Sequence, residues 1–208
     1  MGGQQLILSE RMGEDLRSVV EGALTLSEEE LKSSLSFLMD TIRSVGVKEF
    51  LKAVPDLLSK MVEKMETLNL ASFVREVPQA SSKFLDVLWE GLGVLAEEDP
   101  EIRKKMEEMG ALIVNFKATD SPMVGHFKVS GGKLSGGGKG VMTADLTAFA
   151  STADLVGLLT GKVDPIWGAL TGRYKVEGKV ADAMRLAPLM KLLPKLLVKR
   201  GGSEGKVL

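Results

Sequence analysis

Apolar positions recur at helical spacing through the first half of the chain and alternate as in strands through much of the second. The helical pattern runs from Glu14 to about Met109. Ser27–Glu30, "SEEE", has the form of a capping box, in which Ser27 accepts a backbone N–H and Glu30 returns the bond. After it Leu31, Leu35, Leu38, Ile42 and Val45 follow at steps of three and four. Val54, Leu58, Met61, Met65 and Leu68 repeat the rhythm, and Leu85, Leu88, Leu92 and Leu95 do so more briefly. Such spacing lays one apolar seam along each helix, ready to pack against another. Gly46 marks a break, Pro55 and Pro78 fit helix starts or kinks, and Pro100 opens a short helix that Gly110 closes. The pattern predicts a helical bundle over residues 1–99, an interaction module. Its seams can close within one chain or between chains, so a homo-oligomer formed through the helical half stands beside a self-contained bundle.

The period then changes. Ala111–Thr119 reads as a strand with Leu112, Val114, Phe116 and Ala118 on one face. Val124–Ser130 reads as a second, with Gly125, Phe127 and Val129 on one side. Between that strand and the next lies "GGKLSGGGKG", Gly131–Gly140. A phosphate loop spaced G-x-x-x-x-G-K-[ST] would need glycine where Lys133 stands, Ser or Thr where Gly140 stands, and a helix behind it. A loose hairpin connection, with a short strand near Leu134 and glycines free to take positive φ, fits better. A strand at Met142–Ala150, helices at Thr152–Thr160 and Pro165–Leu170, a strand at Arg173–Glu177 and a last helix from Val180 complete the order. Pro188 and Pro194 are expected to break that last helix into short pieces, a lid or clasp.

Charge divides the chain the same way. Residues 1–110 hold 13 Lys/Arg against 21 Asp/Glu, and residues 111–208 hold 14 against 7, for a net −1 overall. Two units with different jobs, or two halves that attract each other, both fit. The absence of cysteine excludes disulfides, thiolate zinc sites and a cysteine nucleophile. No apolar run is long enough to span a membrane as a helix, and "MGGQQL" lacks both a signal-peptide layout and the Ser/Thr of a myristoylation site. A cytoplasmic protein is expected.

Three motifs in order carry a family likeness: "LTGKVDP" at Leu159–Pro165, "GALTGRYKVEG" at Gly168–Gly178 and "ADAMRL" at Ala181–Leu186. With "NFKA" and "HFKVSGGK" upstream, residues from about 100 to 193 resemble the sterol carrier protein type 2 (SCP2) family. The resemblance implies a five-stranded, mostly antiparallel sheet covered by helices around an apolar tunnel for fatty acyl chains, acyl-CoA or sterols. The fold expected is thus α+β, an all-helical bundle followed by an SCP2-like domain over 100–200 and a flexible tail over 201–208. Phe116, Phe127, Leu155, Leu158, Leu159, Trp167, Leu170, Met184, Leu186, Leu189, Met190 and Leu193 are the expected lipid-binding positions. Periodicity alone allows the same residues to fill a solid core. Thr171 stands where the family often has an amide, and the ending "GKVL" lacks a peroxisomal Ser-Lys-Leu address.

Candidate chemistry is sparse. His126 is the single histidine, and on its strand it falls with Val124 and Lys128, opposite Phe127. Ser130, Ser135 and Asp145 are near in sequence, as in most sheets, and no metal-ligand spacing appears. Glu97–Asp99 reads as a solvated helix end. Some relatives are fused to a thiolase or a dehydrogenase; the first half here, with neither a cysteine nor a strand–Gly-rich-turn–helix unit, reads as neither. In the tail, Lys191, Lys195 and Lys199 share one helix side with leucines around them, a pattern suited to transient contact with an anionic membrane surface or to packing on the rest of the chain. The expectation is a non-enzymatic lipid carrier with no metal, cofactor or nucleic-acid partner; the alternative is a scaffold that oligomerises through its helical half.

Overall fold

The computed structural model describes residues 15, 17–54 and 56–198. A first helix, α1, covers residues 17–25. Then come α2 (Glu28–Val45), α3 (Val47–Ala53), α4 (Leu57–Glu66), α5 (Leu70–Glu76), α6 (Pro78–Glu98) and α7 (Pro100–Met109). The starts follow the sequence signals. Ser27 and Glu30 form the reciprocal capping box, Pro78 and Pro100 occupy first turns, and Gly110 ends α7 at φ 73°. Pro55 lies outside the described residues. Leu31, Leu35, Leu38 and Ile42 of α2, Leu58, Met61 and Met65 of α4, and the four α6 leucines are all buried inside this one chain. The seams therefore close within the chain.

The second half adds β1 (Leu112–Ala118), β2 (Val124–Ser130), β3 (Lys133–Gly137), β4 (Leu146–Ala150), α8 (Thr152–Thr160), α9 (Pro165–Leu170), β5 (Tyr174–Gly178) and α10 (Val180–Val198). The sheet order is β3-β2-β1-β4-β5. Only β1 and β4 run parallel, linked in register from Val114↔Leu146 to Ala118↔Ala150; the other neighbours are antiparallel. The fold is α+β, with helices before and over a five-stranded mixed sheet.

Three local expectations change. The β2–β3 connection is a tight two-residue turn through Gly131 and Gly132, the only glycines of the run at positive φ. The later glycines serve close approach instead: a Cβ on Gly136 would sit 2.5 Å from the His126 carbonyl, and one on Gly138 2.3 Å from that of Ser82. Strand β4 begins only at Leu146, because side chains hold the preceding segment as a loop. The Asn115 amide bonds Val141 N–H and C=O, and the Asp145 carboxylate accepts from Ile113 N–H. Finally, α10 is one helix with Pro188 and Pro194 inside it. Each proline forfeits a backbone bond, and burial of Leu189, Leu193, Leu196 and Leu197 holds the helix together.

Buried residues from Val20 to Leu197 make one continuous core. Its centre is α6, which packs on α2 from one side and on the sheet edge at β3 from the other. Trp89 of α6 stacks on Phe127 at 4.8 Å between ring centroids. At the surface, the acidic first part meets the basic second part in the pairs Lys162–Glu66 (2.6 Å), Lys195–Glu101 (3.4 Å) and Lys133–Glu97 (3.9 Å). Exposed pairs of this kind contribute at most about 1 kcal/mol each.

Candidate functional site: an apolar cavity between sheet and helices

One face of the sheet collects Val114 and Phe116 from β1, Phe127 from β2, Leu146 and Ala148 from β4, and Tyr174 and Val176 from β5. The register places them side by side, with Phe116 opposite Ala148 and Ala148 opposite Val176. Helices α8 and α10 cross this face without closing on it, and a cavity of about 470 Å³ remains. Leu155, Leu158 and Leu159 of α8 and Met184, Leu186 and Met190 of α10 form two walls. The roof comes from the helical half: Val62 and Met65 of α4, Leu70 and Val74 of α5, and Phe84, Leu85 and Leu88 of α6.

The lining offers little polarity. Ser81 Oγ donates to the Val77 carbonyl, and Thr152 Oγ1 donates to the Asp120 carboxylate at 2.6 Å. The Tyr174 hydroxyl donates to the Pro165 carbonyl. Burial, with the Asp164 carboxylate near it, pushes the Tyr174 pKa up, so the phenol stays neutral. Among the described lining residues Lys179 alone is charged, and it is exposed. Trp89 also belongs to the wall; its Nε1 is buried with no hydrogen-bond partner among the described residues.

The opening is shaped by α9. Asp164 caps this helix by accepting from Ile166 and Trp167 N–H, both at 2.8 Å. Those backbone bonds, first that from Trp167, and then Lys191 hold the Asp164 carboxyl below its ordinary pKa. The helix rests on its glycine: a Cβ on Gly168 would lie 2.8 Å from Val163 and 2.9 Å from the Tyr174 ring. Seated on that face, α9 turns Ile166, Trp167 and Leu170 outward.

Of the twelve apolar positions expected to bind lipid, Phe116, Phe127, Leu155, Leu158, Leu159, Leu170, Met184, Leu186 and Met190 line the cavity. Trp167 stands on the outer surface, while Leu189 and Leu193 are fully buried outside the lining. Lys191 pairs with Asp164 at 3.1 Å and Lys195 with Glu101, on the outer side of α10; Lys199 lies outside the described residues. The apolar side of the tail is packed into the core beside α7 and α8 rather than poised as a clasp. Thr171 donates to the Trp167 carbonyl at 2.8 Å and closes α9. His126 faces away from Phe127, with Nδ1 2.5 Å from the Lys139 carbonyl. Among the described residues no His, Asp or Glu cluster suits a metal ion, and no helix is long and apolar enough to cross a membrane.

The roof of the cavity was not anticipated from the sequence. Leu85 and Leu88 have the same spacing whether they face another helix or a void. One signal was available: between Phe84 and Ala96 only Asp86 and Glu90 are charged. A helix apolar on nearly all sides is buried on both, as α6 is between the helical half and the sheet.

Residues 92–191 match the SCP-2 sterol transfer family. This segment is an SCP2 domain. Its boundaries take in the last two turns of α6 and stop within α10, so the SCP2 domain begins on the helix that roofs its own cavity. Solved structures similar to the chain include an SCP2 protein titled UbiJ, a ubiquinone synthesis protein, at 14% identity and a TM-score of 0.43, over 51% of this chain and 91% of that one. The sterol carrier protein domain 2 of Helicoverpa armigera aligns at 24% identity and 0.43, over 53% and 90%. A sec-alkylsulfatase, Pisa1 from Pseudomonas sp., aligns at 13% identity and 0.41 over 89% of this chain and 31% of that one. No curated protein is similar enough to count as a match.

Proposed function

We propose that the protein is a non-enzymatic carrier that takes a single lipid, of the fatty acyl, acyl-CoA or sterol type, into the cavity of its SCP2 domain. The observation that carries this reading is an open apolar cavity of about 470 Å³ whose lining, among the described residues, holds one charged side chain, Lys179, at the exterior. Such a size and lining are typical of sites for small apolar ligands. Burying a sixteen-carbon chain gains about 12 kcal/mol at ~0.8 kcal/mol per methylene, before the costs of ordering, which leaves room for micromolar binding. The ammonium of Lys179 meets an anionic head group, and the methionines of α4 and α10 adapt to chains of different shape. In this reading α4, α5 and α6, from the part expected to be a separate docking module over residues 1–99, roof the site in residues 100–200.

The test is lipid uptake. Delipidated protein, followed by native mass spectrometry and by titration with a fluorescent fatty acid, should load one lipid per chain. Absence of loading at micromolar ligand overturns the carrier reading.

A further inference from the structure

Five large apolar side chains stand exposed around the opening: Ile166, Trp167 and Leu170 on α9, and Val180 and Met184 at the start of α10, each between 46% and 78% exposed. Four of them also line the cavity, so its apolar wall runs without interruption onto the outer surface. Trp167 is the exception: it lies wholly on the outside, next to that rim. A tryptophan beside leucine and isoleucine, with cations around them, is the composition that settles at the head-group level of a bilayer.

The charges around the rim are layered. Residues 162–191 carry six Lys/Arg against three Asp/Glu. Lys162, Arg173 and Arg185 are 67%, 50% and 44% exposed, whereas their partners Glu66, Asp154 and Asp182 are 13%, 17% and 16% exposed. The cations therefore face outward with the carboxylates tucked behind them. Lys191 pairs with a carboxylate as exposed as itself, Lys175 with one less exposed, and Lys179 has no ion pair among the described residues. An approaching surface meets positive charge first, which matches an anionic one.

We propose that this face, α9 with the first turns of α10, docks on an anionic lipid bilayer with the cavity mouth against the membrane. Lipid then passes between bilayer and cavity without crossing water. This rests on the carrier reading for what passes through the mouth, while the docking itself is measured separately. Seating the mouth on the bilayer covers the exposed rim while Lys162, Lys175 and Lys179 meet lipid phosphates. It also accounts for the orientation of α9, whose seat on Gly168 commits its apolar side chains to the exterior.

The experiment uses the full chain and vesicles of phosphatidylcholine with or without phosphatidylglycerol. Co-sedimentation should be about tenfold stronger with the anionic lipid and should fall at high salt. Acrylamide quenching, which reports mainly on exposed Trp167 because Trp89 is buried, should drop on anionic vesicles. Trp167→Ser and Lys175→Glu should each weaken vesicle binding several-fold while leaving uptake of a fluorescent fatty acid from solution unchanged. Variants that sediment like the parent chain overturn the proposal. So does a protein that loads fatty acid but ignores vesicles, or one whose Trp167 is shielded only by a second copy in sedimentation velocity. Vesicle binding that needs Trp167, in a protein that loads no lipid, supports docking and overturns the carrier reading instead.

Discussion

Replacing Ala148 by leucine should weaken lipid binding and stabilise the empty protein at the same time. Ala148 sits in β4 between Phe116 and Val176, with its side chain on the cavity face. Leucine places three further carbons in that space. They exclude about three methylenes of a bound chain, and at ~0.8 kcal/mol each the loss is about 2.4 kcal/mol, roughly fiftyfold in Kd. In the ligand-free protein the same atoms fill a void, and cavity-filling changes typically add about 0.5–2 kcal/mol of stability. The two signs are opposed, which makes the test discriminating. Fatty-acid displacement titrations give the first, and urea unfolding of delipidated protein gives the second. A solid core at Ala148 would answer differently, with destabilisation of about 1–3 kcal/mol from overpacking. That outcome, or an unchanged Kd, refutes the cavity as the lipid site.

Three other substitutions test the frame around the cavity. Gly93→Ala puts a Cβ 2.5 Å from the Leu134 carbonyl, so α6 must lift from β3; the helix-propensity gain of about 1 kcal/mol is outweighed, and a net loss of about 2 kcal/mol is expected in urea unfolding. Ser27→Ala removes the side-chain acceptor of the capping box and should cost about 1 kcal/mol, read from the thermal midpoint. Asp120 feels burial that opposes its charge, but Thr152 Oγ1–H and N–H bonds outweigh it and hold its pKa below the ordinary value. A depressed carboxyl stabilises the fold above its unfolded pKa of ~3.9 and loses that contribution as pH falls through the folded value. Asp120→Asn should therefore be less stable than the parent at neutral pH, with the gap narrowing below pH ~4; a gap that widens in acid contradicts the assignment.

The elements were legible wherever local chemistry decides them. The capping box at Ser27, the prolines at positions 78, 100 and 165, and the glycine at 110 mark helix ends that the structure reproduces. Strand alternation placed Gly125, Phe127 and Val129 on one buried face, as found. Sequence failed where distant contacts overrule local rules. Prolines 188 and 194 should break a helix in isolation, yet α10 continues through both because its leucines are held in a core made by other elements. The start of β4 was misplaced since Asn115 and Asp145 bind the backbone of residues 113 and 141. For the cavity, spacing identified apolar faces, and whether a face meets side chains or space is not a local property. Leu189 and Leu193 lie one helix face away from Leu186 and Met190 on the same α10, and only the second pair reaches the void.

The same contrast explains why this SCP2 domain has so many helices in front of it. An apolar void forfeits contacts, and residual cavities in folded proteins cost about 24 cal/mol per Å³ where they stay closed. The sheet and its two crossing helices leave their shared space open, so they cannot draw full stability from the face they bury. Leu35, Met39, Ile42, Phe50 and Leu51, by contrast, are almost completely buried, and none of them lines the cavity. They are the filled part of the same continuous core, where α2 and α3 pack on α6, and α6 also faces the cavity. Stability gained in that filled region is transmitted through a rigid helix whose other side roofs the unfilled one. A cavity can then persist with no ligand inside, because the residues that hold α6 in place are not those that a lipid would touch.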